Sequence, residues 1–290
     1  VTSPIYICGP TASGKSSLAL ELAKQLDGEI VNADAFQLYR GLETLAATPS
    51  REEISQAPHH LYSQLSLHDN LDANRYRKLA QPVISDIQAR GKTPLIVGGS
   101  GLYLKFLTHG PSPVPPGDPA IRAELDTQTL DELAARLEQL DPAEAATINL
   151  KNRRYLTRSL ELCLLTEKPV SQLRKDWEQP DPPELQGFYL DWPREELNRR
   201  IALRTERMLS DGAIEEVVAL PENATTAAKA IGVAEIQAYL ASELTREETA
   251  ERITIATRQY AKRQRTWFRK ERWLTSLDRN TLPEPPFFGI

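Results

Sequence analysis

The segment Gly9-Pro10-Thr11-Ala12-Ser13-Gly14-Lys15-Ser16 constrains this chain more than any other. Its spacing is G-x-x-x-x-G-K-[ST]. Glycines at those positions let backbone N–H groups wrap a phosphate, and a helix starting at the end of the loop adds positive potential. Lys15 supplies a point charge, and the Ser16 hydroxyl can hold Mg²⁺. The flanks agree with this reading. Ile5 to Cys8 is a short apolar β-type run stopping at Gly9. From Ser17 on, Leu18, Ala19, Leu22, Ala23 and Leu26 recur at helical spacing until Asp27-Gly28 closes the segment. An unliganded strand-to-helix turn has no need of Lys15 and Ser16 together with both glycines.

Further strands are expected at Glu29 to Asp34 and at Pro94 to Val97. Strands separated by helical stretches predict an α/β fold: a parallel, P-loop NTPase-like sheet flanked by helices, with ligands at the carboxyl ends of the strands. Between Pro111 and Pro119 five prolines and a glycine mark a linker, and Pro180-Asp181-Pro182-Pro183 marks a second. The stretch between them is helical in pattern, with Leu130, Leu133, Leu137 and Leu140 on one stripe and Leu156, Leu160 and Leu164 on another. The expected organisation is a first part of the core at 1–112, a helical insertion at 113–183 and a second part of the core at 184–290. In that last part Phe188 to Leu190 reads as a strand returning to the sheet, and Glu195 to Leu220 and Arg246 to Leu274 read as long helices.

Composition excludes several classes. With 40% hydrophobic and 26% charged residues the chain is neither disordered nor fibrous. No apolar run approaches the roughly 18 residues of a membrane span, and the first residues lack a secretory pattern, so a cytoplasmic protein is expected. Cys8 and Cys163 cannot form a disulfide framework and read as packing residues. Neighbouring His59 and His60 point apart on either regular element, which argues against a metal pair. A net charge of −5 speaks against a uniformly basic nucleic-acid binder but not against a local stripe. One is present: Arg258, Lys262, Arg265, Arg269 and Arg272 step by four, three, four and three residues, with Glu271 the single acid between Arg258 and Trp273. Solvated faces usually mix signs, so this stripe is read as a grip on nucleic-acid phosphates. Tyr260 and Trp267, with Ile253, Ala256 and Leu274, are read as an apolar core face of the same helix.

The phosphate loop alone does not specify a nucleotide. Nucleotide hydrolases of this class also hold Mg²⁺ through an Asp that ends another apolar strand. Leu95-Ile96-Val97 instead runs into Gly98-Gly99-Ser100-Gly101, which leaves Asp34 as the one carboxylate so placed, either a metal acid or a catalytic base.

Six segments together are more specific: Gly9 to Ser16; Asp34-Ala35-Phe36-Gln37-Leu38-Tyr39-Arg40-Gly41; Pro58-His59-His60-Leu61; Val97-Gly98-Gly99-Ser100-Gly101-Leu102-Tyr103-Leu104; Leu190-Asp191-Trp192-Pro193-Arg194; and Thr257 to Gln264 through Trp267-Phe268-Arg269. In this order they resemble the tRNA dimethylallyltransferase (tRNA isopentenyltransferase) family from about residue 4 to about residue 273. The resemblance implies Mg²⁺-dependent transfer of a dimethylallyl group from dimethylallyl diphosphate to N6 of the adenosine at tRNA position 37, 3′ of the anticodon. It casts Asp34 as general base, Ser100 as a hydroxyl donor to the diphosphate, and Gly9, Pro10, Thr11, Ala12, Ser13, Gly14, Lys15, Ser16 and Arg204 as the diphosphate site, with Ser16 toward the metal. Asp34, Ala35, Phe36, Gln37 and Ser100 would meet the target base. Arg122, Arg154 and Arg158 of the insertion, with Arg258, Lys262, Arg263, Arg265 and Arg269, would hold the tRNA. The chemistry is coherent: negative charge grows on the departing diphosphate, where Lys15 and the loop amides can stabilise it, and the attacking amine must lose a proton. The expected partners are thus tRNA and dimethylallyl diphosphate, with no membrane and the chain acting as a monomer. The rival readings are an adenylate isopentenyltransferase acting on free nucleotide, a P-loop kinase of a small metabolite, and a non-catalytic RNA-binding NTPase module.

Overall fold

The computed structural model describes residues 2–111, 114–176 and 185–278. They form two compact units, 1–109 with 181–290, and 110–180.

The larger unit runs β1 (Ile5–Cys8), α1 (Lys15–Gln25), β2 (Gly28–Asn32), α2 (Glu43–Ala46), α3 (Arg51–Gln56), β3 (His59–His60), α4 (Ala73–Ala89), β4 (Thr93–Gly98) and α5 (Gly101–Thr108). After the insertion, whose helices are α6 (Pro119–Asp126), α7 (Leu130–Leu140), α8 (Pro142–Ala145), α9 (Arg153–Thr166) and α10 (Val170–Asp176), it resumes. Its second half has β5 (Gln186–Asp191), α11 (Arg194–Ser210), α12 (Ala213–Val218), α13 (Val233–Leu240), α14 (Arg246–Phe268) and β6 (Leu274–Asp278).

All six strands pair in parallel in the order β3-β2-β4-β1-β5-β6. Strands covered on both faces need apolar side chains on both, which is why β1 is buried at every position and β4 at all but its first. The chain leaves β1 toward β4, β2 and β3 on one side and returns to β5 and β6 on the other. The strand order therefore reverses at β1, and a crevice opens beyond its carboxyl end, where Gly9 begins the phosphate loop.

Several expectations change here. β2 ends at Asn32, so Asp34 lies in the loop beyond the strand rather than on it. The helix expected over Glu195 to Leu220 is two helices, because Gly212 adopts φ 113° and breaks the run after Asp211. The helix expected to reach Leu274 stops at Phe268, and Leu274–Asp278 pairs with β5 as an edge strand. Arg272 thus falls outside the helix and off the stripe. Asp191 ends β5 at the carboxyl edge, so Asp34 is not the one acid so placed. α4 carries Pro82 in its interior, which obscures a helix whose Tyr76, Ala80, Ile84 and Ile87 are buried.

The insertion unit has its own core of Leu125, Leu133, Leu137, Leu156 and Leu160, all fully buried. Leu130 and Leu140, expected on that stripe, are exposed at the two ends of α7. Pro119 does not belong to a linker but opens α6, where Asp118 caps the helix by accepting the Ala120 N–H at 2.7 Å. The second expected linker, Pro180 to Pro183, lies outside the described residues. Among the described residues no helix is long and apolar enough to cross a membrane.

Candidate active site

The phosphate loop is shaped by contacts to its carbonyls from outside. Gly14, at φ 83°, caps α1, whose first turn holds no acid. Ala12, at φ 63°, occupies the left-handed region that a non-glycine residue enters only at a cost of about 1–2 kcal/mol. Two residues of the β5–α11 segment offset that cost. Arg200 donates from Nε to the Ala12 carbonyl at 2.8 Å, and Trp192 donates from Nε1 to the Ser13 carbonyl at 2.8 Å. The Arg200 guanidinium also lies 4.8 Å from the centre of the Trp192 ring, so the two brace each other. With its carbonyls held outward, the loop can turn amides inward.

Beside the loop is a cavity of mixed lining. Thr11, Lys15, Asp34, Arg204 and Tyr260 bring polar groups to it, Ile201, Met208, Ile231 and Ile253 are among its apolar residues, and Phe36 and Gln37 also line it. Burial lowers the pKa of Lys15, with the Asp34 charge opposing that shift and Arg204 adding to it. Arg204 is likewise lowered by burial and supported by Asp34, and it donates to the Thr11 hydroxyl. Two desolvated cations facing one carboxylate leave net positive charge, which an anion would neutralise.

Asp34 is held by its own loop. Buried Asn32 accepts the Asp34 N–H at 2.8 Å and donates to the carbonyls of Asp34 at 3.1 Å and Leu61 at 2.9 Å. One Asp34 carboxylate oxygen accepts the Phe36 N–H at 3.2 Å. Ser100 starts α5 and accepts the Ala35 N–H at 3.2 Å through its hydroxyl, joining the β4–α5 turn to the 34–37 loop. Burial and the Asp34 charge push the Tyr260 phenol up, with hydrogen bonding from Ser100 working against them.

The structure thus brings Thr11, Lys15, Asp34, Phe36, Gln37 and Arg204 to one cavity and ties Ser100 and Ala35 to its edge. It also assigns places that residue spacing did not. Tyr260, expected in the core, lines the cavity. Trp267, expected beside it, is 36% exposed. Asn32, Trp192 and Arg200 shape the site through backbone contacts. Of these, Asn32 carried a signal: it is a polar residue among apolar strand neighbours.

The basic stripe is only partly free. Asp191 lies 3.0 Å from Arg265 and 2.8 Å from Arg269, and it also accepts the Trp192 N–H at 3.0 Å. Burial alone would raise the Asp191 carboxyl, but Arg269 and Arg265 hold it below the usual range. Its carboxylate is therefore paired with Arg265 of α14 and with Arg269, which caps that helix. Arg258 and Lys262 stay exposed beside it in a groove formed with Arg194 and Asn198, and Arg263 lies over the Tyr260 ring at 5.6 Å. In the insertion unit, fully buried Glu161 pairs with Arg122 at 2.8 Å and with Arg158 at 2.5 Å, and also accepts the Asp118 N–H at 2.7 Å. Both arginines thus help build their own unit, whereas Arg154 is exposed on α9.

His59 and His60 do point apart, to the Ala57 carbonyl at 2.8 Å and to Glu29 at 2.7 Å respectively. No group of three or more His, Cys, Asp or Glu that could hold a metal occurs among the described residues. A site of the Mg²⁺ type, which takes one or two protein oxygens together with substrate phosphates, needs no such group.

Comparison with known proteins agrees with this geometry. Residues 37–271 match the IPP transferase family model. A tRNA dimethylallyltransferase of Akkermansia muciniphila is 43% identical over 281 residues, spanning 97% of this chain and 95% of that protein. Another, from Geobacter sulfurreducens, is 43% identical over 279 residues, spanning 93% and 90%. Among solved structures, a tRNA isopentenylpyrophosphate transferase of Bacillus halodurans superposes with a TM-score of 0.69 at 31% identity, covering 96% of this chain and 90% of that one. A eukaryotic dimethylallyltransferase acting on tRNA superposes with a TM-score of 0.79 at 27% identity, covering 96% and 74%. With a phosphate loop at the reversal point of a parallel sheet, a carboxylate beside two half-buried cations and relatives of this kind over nearly its whole length, the chain belongs to the IPP transferase family.

Proposed function

We propose that this protein transfers a dimethylallyl group from dimethylallyl diphosphate to N6 of the adenosine at position 37 of tRNA. The observation that carries the reading is the lining of that cavity, in which cations from the phosphate loop and α11 share one space with the aliphatic side chains of Ile201, Met208, Ile231 and Ile253. A prenyl diphosphate uses both, its phosphates meeting the cations and its branched chain the aliphatic side chains.

In this reading the loop amides, Lys15 and Arg204 bind the diphosphate and take up the negative charge that grows as the allylic C–O bond breaks. Ile201, Met208 and Ile253 hold the prenyl chain. Asp34 accepts the proton that the adenine amine loses as the new C–N bond forms, because a neutral exocyclic amine does not ionise beforehand. Ser100 and the 34–37 loop receive the base, which must leave the anticodon stack to reach them. The Ser16 hydroxyl, at the start of α1, would hold Mg²⁺ together with diphosphate oxygens, and the ion would supply further charge stabilisation to the leaving group. Arg258, Lys262 and Arg263 on α14, and Arg122, Arg154 and Arg158 of the insertion 113–183, contact the tRNA. The chain acts as a monomer in the cytoplasm.

The test is Lys15→Ala with both substrates present. Prenyl transfer should disappear, and no ATP should be consumed by the unaltered protein while it forms product. Stoichiometric ATP hydrolysis accompanying product formation would reject the reading.

A further inference from the structure

The phosphate loop and the Gly98-Gly99-Ser100 turn are far apart in the chain, and one side chain of α14 joins them. Gln264, only 4% exposed, accepts the Thr11 N–H at 2.9 Å through Oε1 and donates from Nε2 to the Gly99 carbonyl at 3.0 Å. The approach is tight. A Cβ on Gly99 would lie 2.1 Å from that Nε2, so glycine is what admits the amide. A buried amide that satisfies backbone groups of two loops fixes their separation, because either partner left unmet in that setting is costly.

Both loops carry the site. The Thr11 hydroxyl accepts from Arg204, and Lys15 follows in the same loop. Ser100 follows Gly99 directly and bonds the amide of Ala35, next to Asp34. Gln264 itself does not line the cavity. We propose that Gln264 is a positioning residue, locking the phosphate loop and the Gly99–Ser100 turn into one frame. It thereby sets how the cations holding the diphosphate stand relative to Asp34 and Ser100, where the acceptor amine reacts. This rests on the prenyl-transfer reading above.

Alignment of reacting groups governs the chemical step, and a displacement of about 1 Å costs on the order of a hundredfold. Gln264→Met keeps the volume and removes both bonds. Its kcat should fall by about tenfold to a hundredfold, while KM for tRNA and for the diphosphate stay within about threefold. Gln264→Glu gives a sharper signature. Burial raises a carboxyl pKa, so the protonated acid can still accept from Thr11 and donate to Gly99, but the carboxylate can only repel the Gly99 carbonyl. The ratio of variant to unaltered kcat should therefore be near one at about pH 5.5 and fall as pH rises to about 8.5. If Gln264→Met does not fold, that ratio decides alone. A folded Gln264→Met with kcat within twofold of the unaltered protein, a loss confined to KM, or a Gln264→Glu ratio flat with pH would overturn the proposal. If the unaltered protein forms no prenylated tRNA under the same conditions, it is the prenyl-transfer reading that fails.

Discussion

At the scale of single residues the site turns on Asp34. It is the counter-charge that supports two desolvated cations, Lys15 and Arg204, and, among the described residues, the only carboxylate lining the cavity. Those two tasks separate on substitution. Asp34→Asn retains the shape and the oxygen that accepts the Phe36 N–H, but removes the proton acceptor. Turnover should fall by about 10² to 10⁴, with tRNA affinity nearly unchanged. Single-turnover transfer at saturating tRNA, alongside equilibrium binding of the same tRNA, measures both. Near-normal turnover would remove Asp34 from proton transfer. Loss of diphosphate binding with intact chemistry would make it a structural counter-ion. Asp191, which also ends a strand at the carboxyl edge, does not line the cavity, and its carboxylate pairs with Arg265 of α14 and with Arg269 at the end of that helix.

At the scale of elements, an ion cluster around the buried Glu29 ties the β3 edge of the sheet to β2 and to the end of α4. Glu29 on β2 bonds His60 of β3 and Arg90 at the end of α4, and its side chain is 7% exposed. The Arg90 hydrogen bond, outweighing the upward pull of burial and joined by His60, holds its carboxyl at about 2. A carboxyl lowered on folding contributes stability that is complete above its unfolded pKa and lost as pH falls toward the folded value. Unfolding free energy should therefore drop by roughly 2 kcal/mol between pH 5 and 3 from this group alone. Urea denaturation at the two pH values should show a smaller drop in Glu29→Gln than in the unaltered protein; equal drops would show that the cluster contributes nothing. Elements of this kind show what the chain reveals locally and what it does not. β1, the phosphate loop and α1 follow from apolar runs and turn residues close in sequence, and so do the cavity positions Thr11 and Lys15. The break between α11 and α12 was written in Asp211-Gly212, a turn pair inside a helical pattern. β6 was not legible in that way: its pairing with β5 is a long-range choice that periodicity around Leu274 cannot express. The same holds for Gln264, Trp192 and Arg200, whose partners are backbone groups of distant loops.

At the scale of the whole molecule an acidic chain, with net charge −5, concentrates exposed cations on one helix. Neutralising a phosphate releases counterions, so tRNA affinity should fall with log[salt] at a slope of about −0.7 to −0.9 per contact. The structure narrows which residues set that slope: Arg265 and Arg269 are paired with Asp191, whereas Arg258 and Lys262 face the groove. Changing Arg258 and Lys262 together to Gln should flatten the slope by about one to two and leave diphosphate binding unaltered. An unchanged slope would make this face a solvated one. The catalytic expectations depend on a single cavity that joins a prenyl diphosphate to a base drawn from tRNA. Mass spectrometry of tRNA incubated with the protein, Mg²⁺ and dimethylallyl diphosphate, followed by nuclease mapping, tests it most directly. One prenyl unit is expected, on the N6 of the adenosine 3′ of the anticodon, and none with Lys15→Ala. Unmodified tRNA, or prenyl groups scattered over other nucleotides or carried only by free AMP, would contradict it.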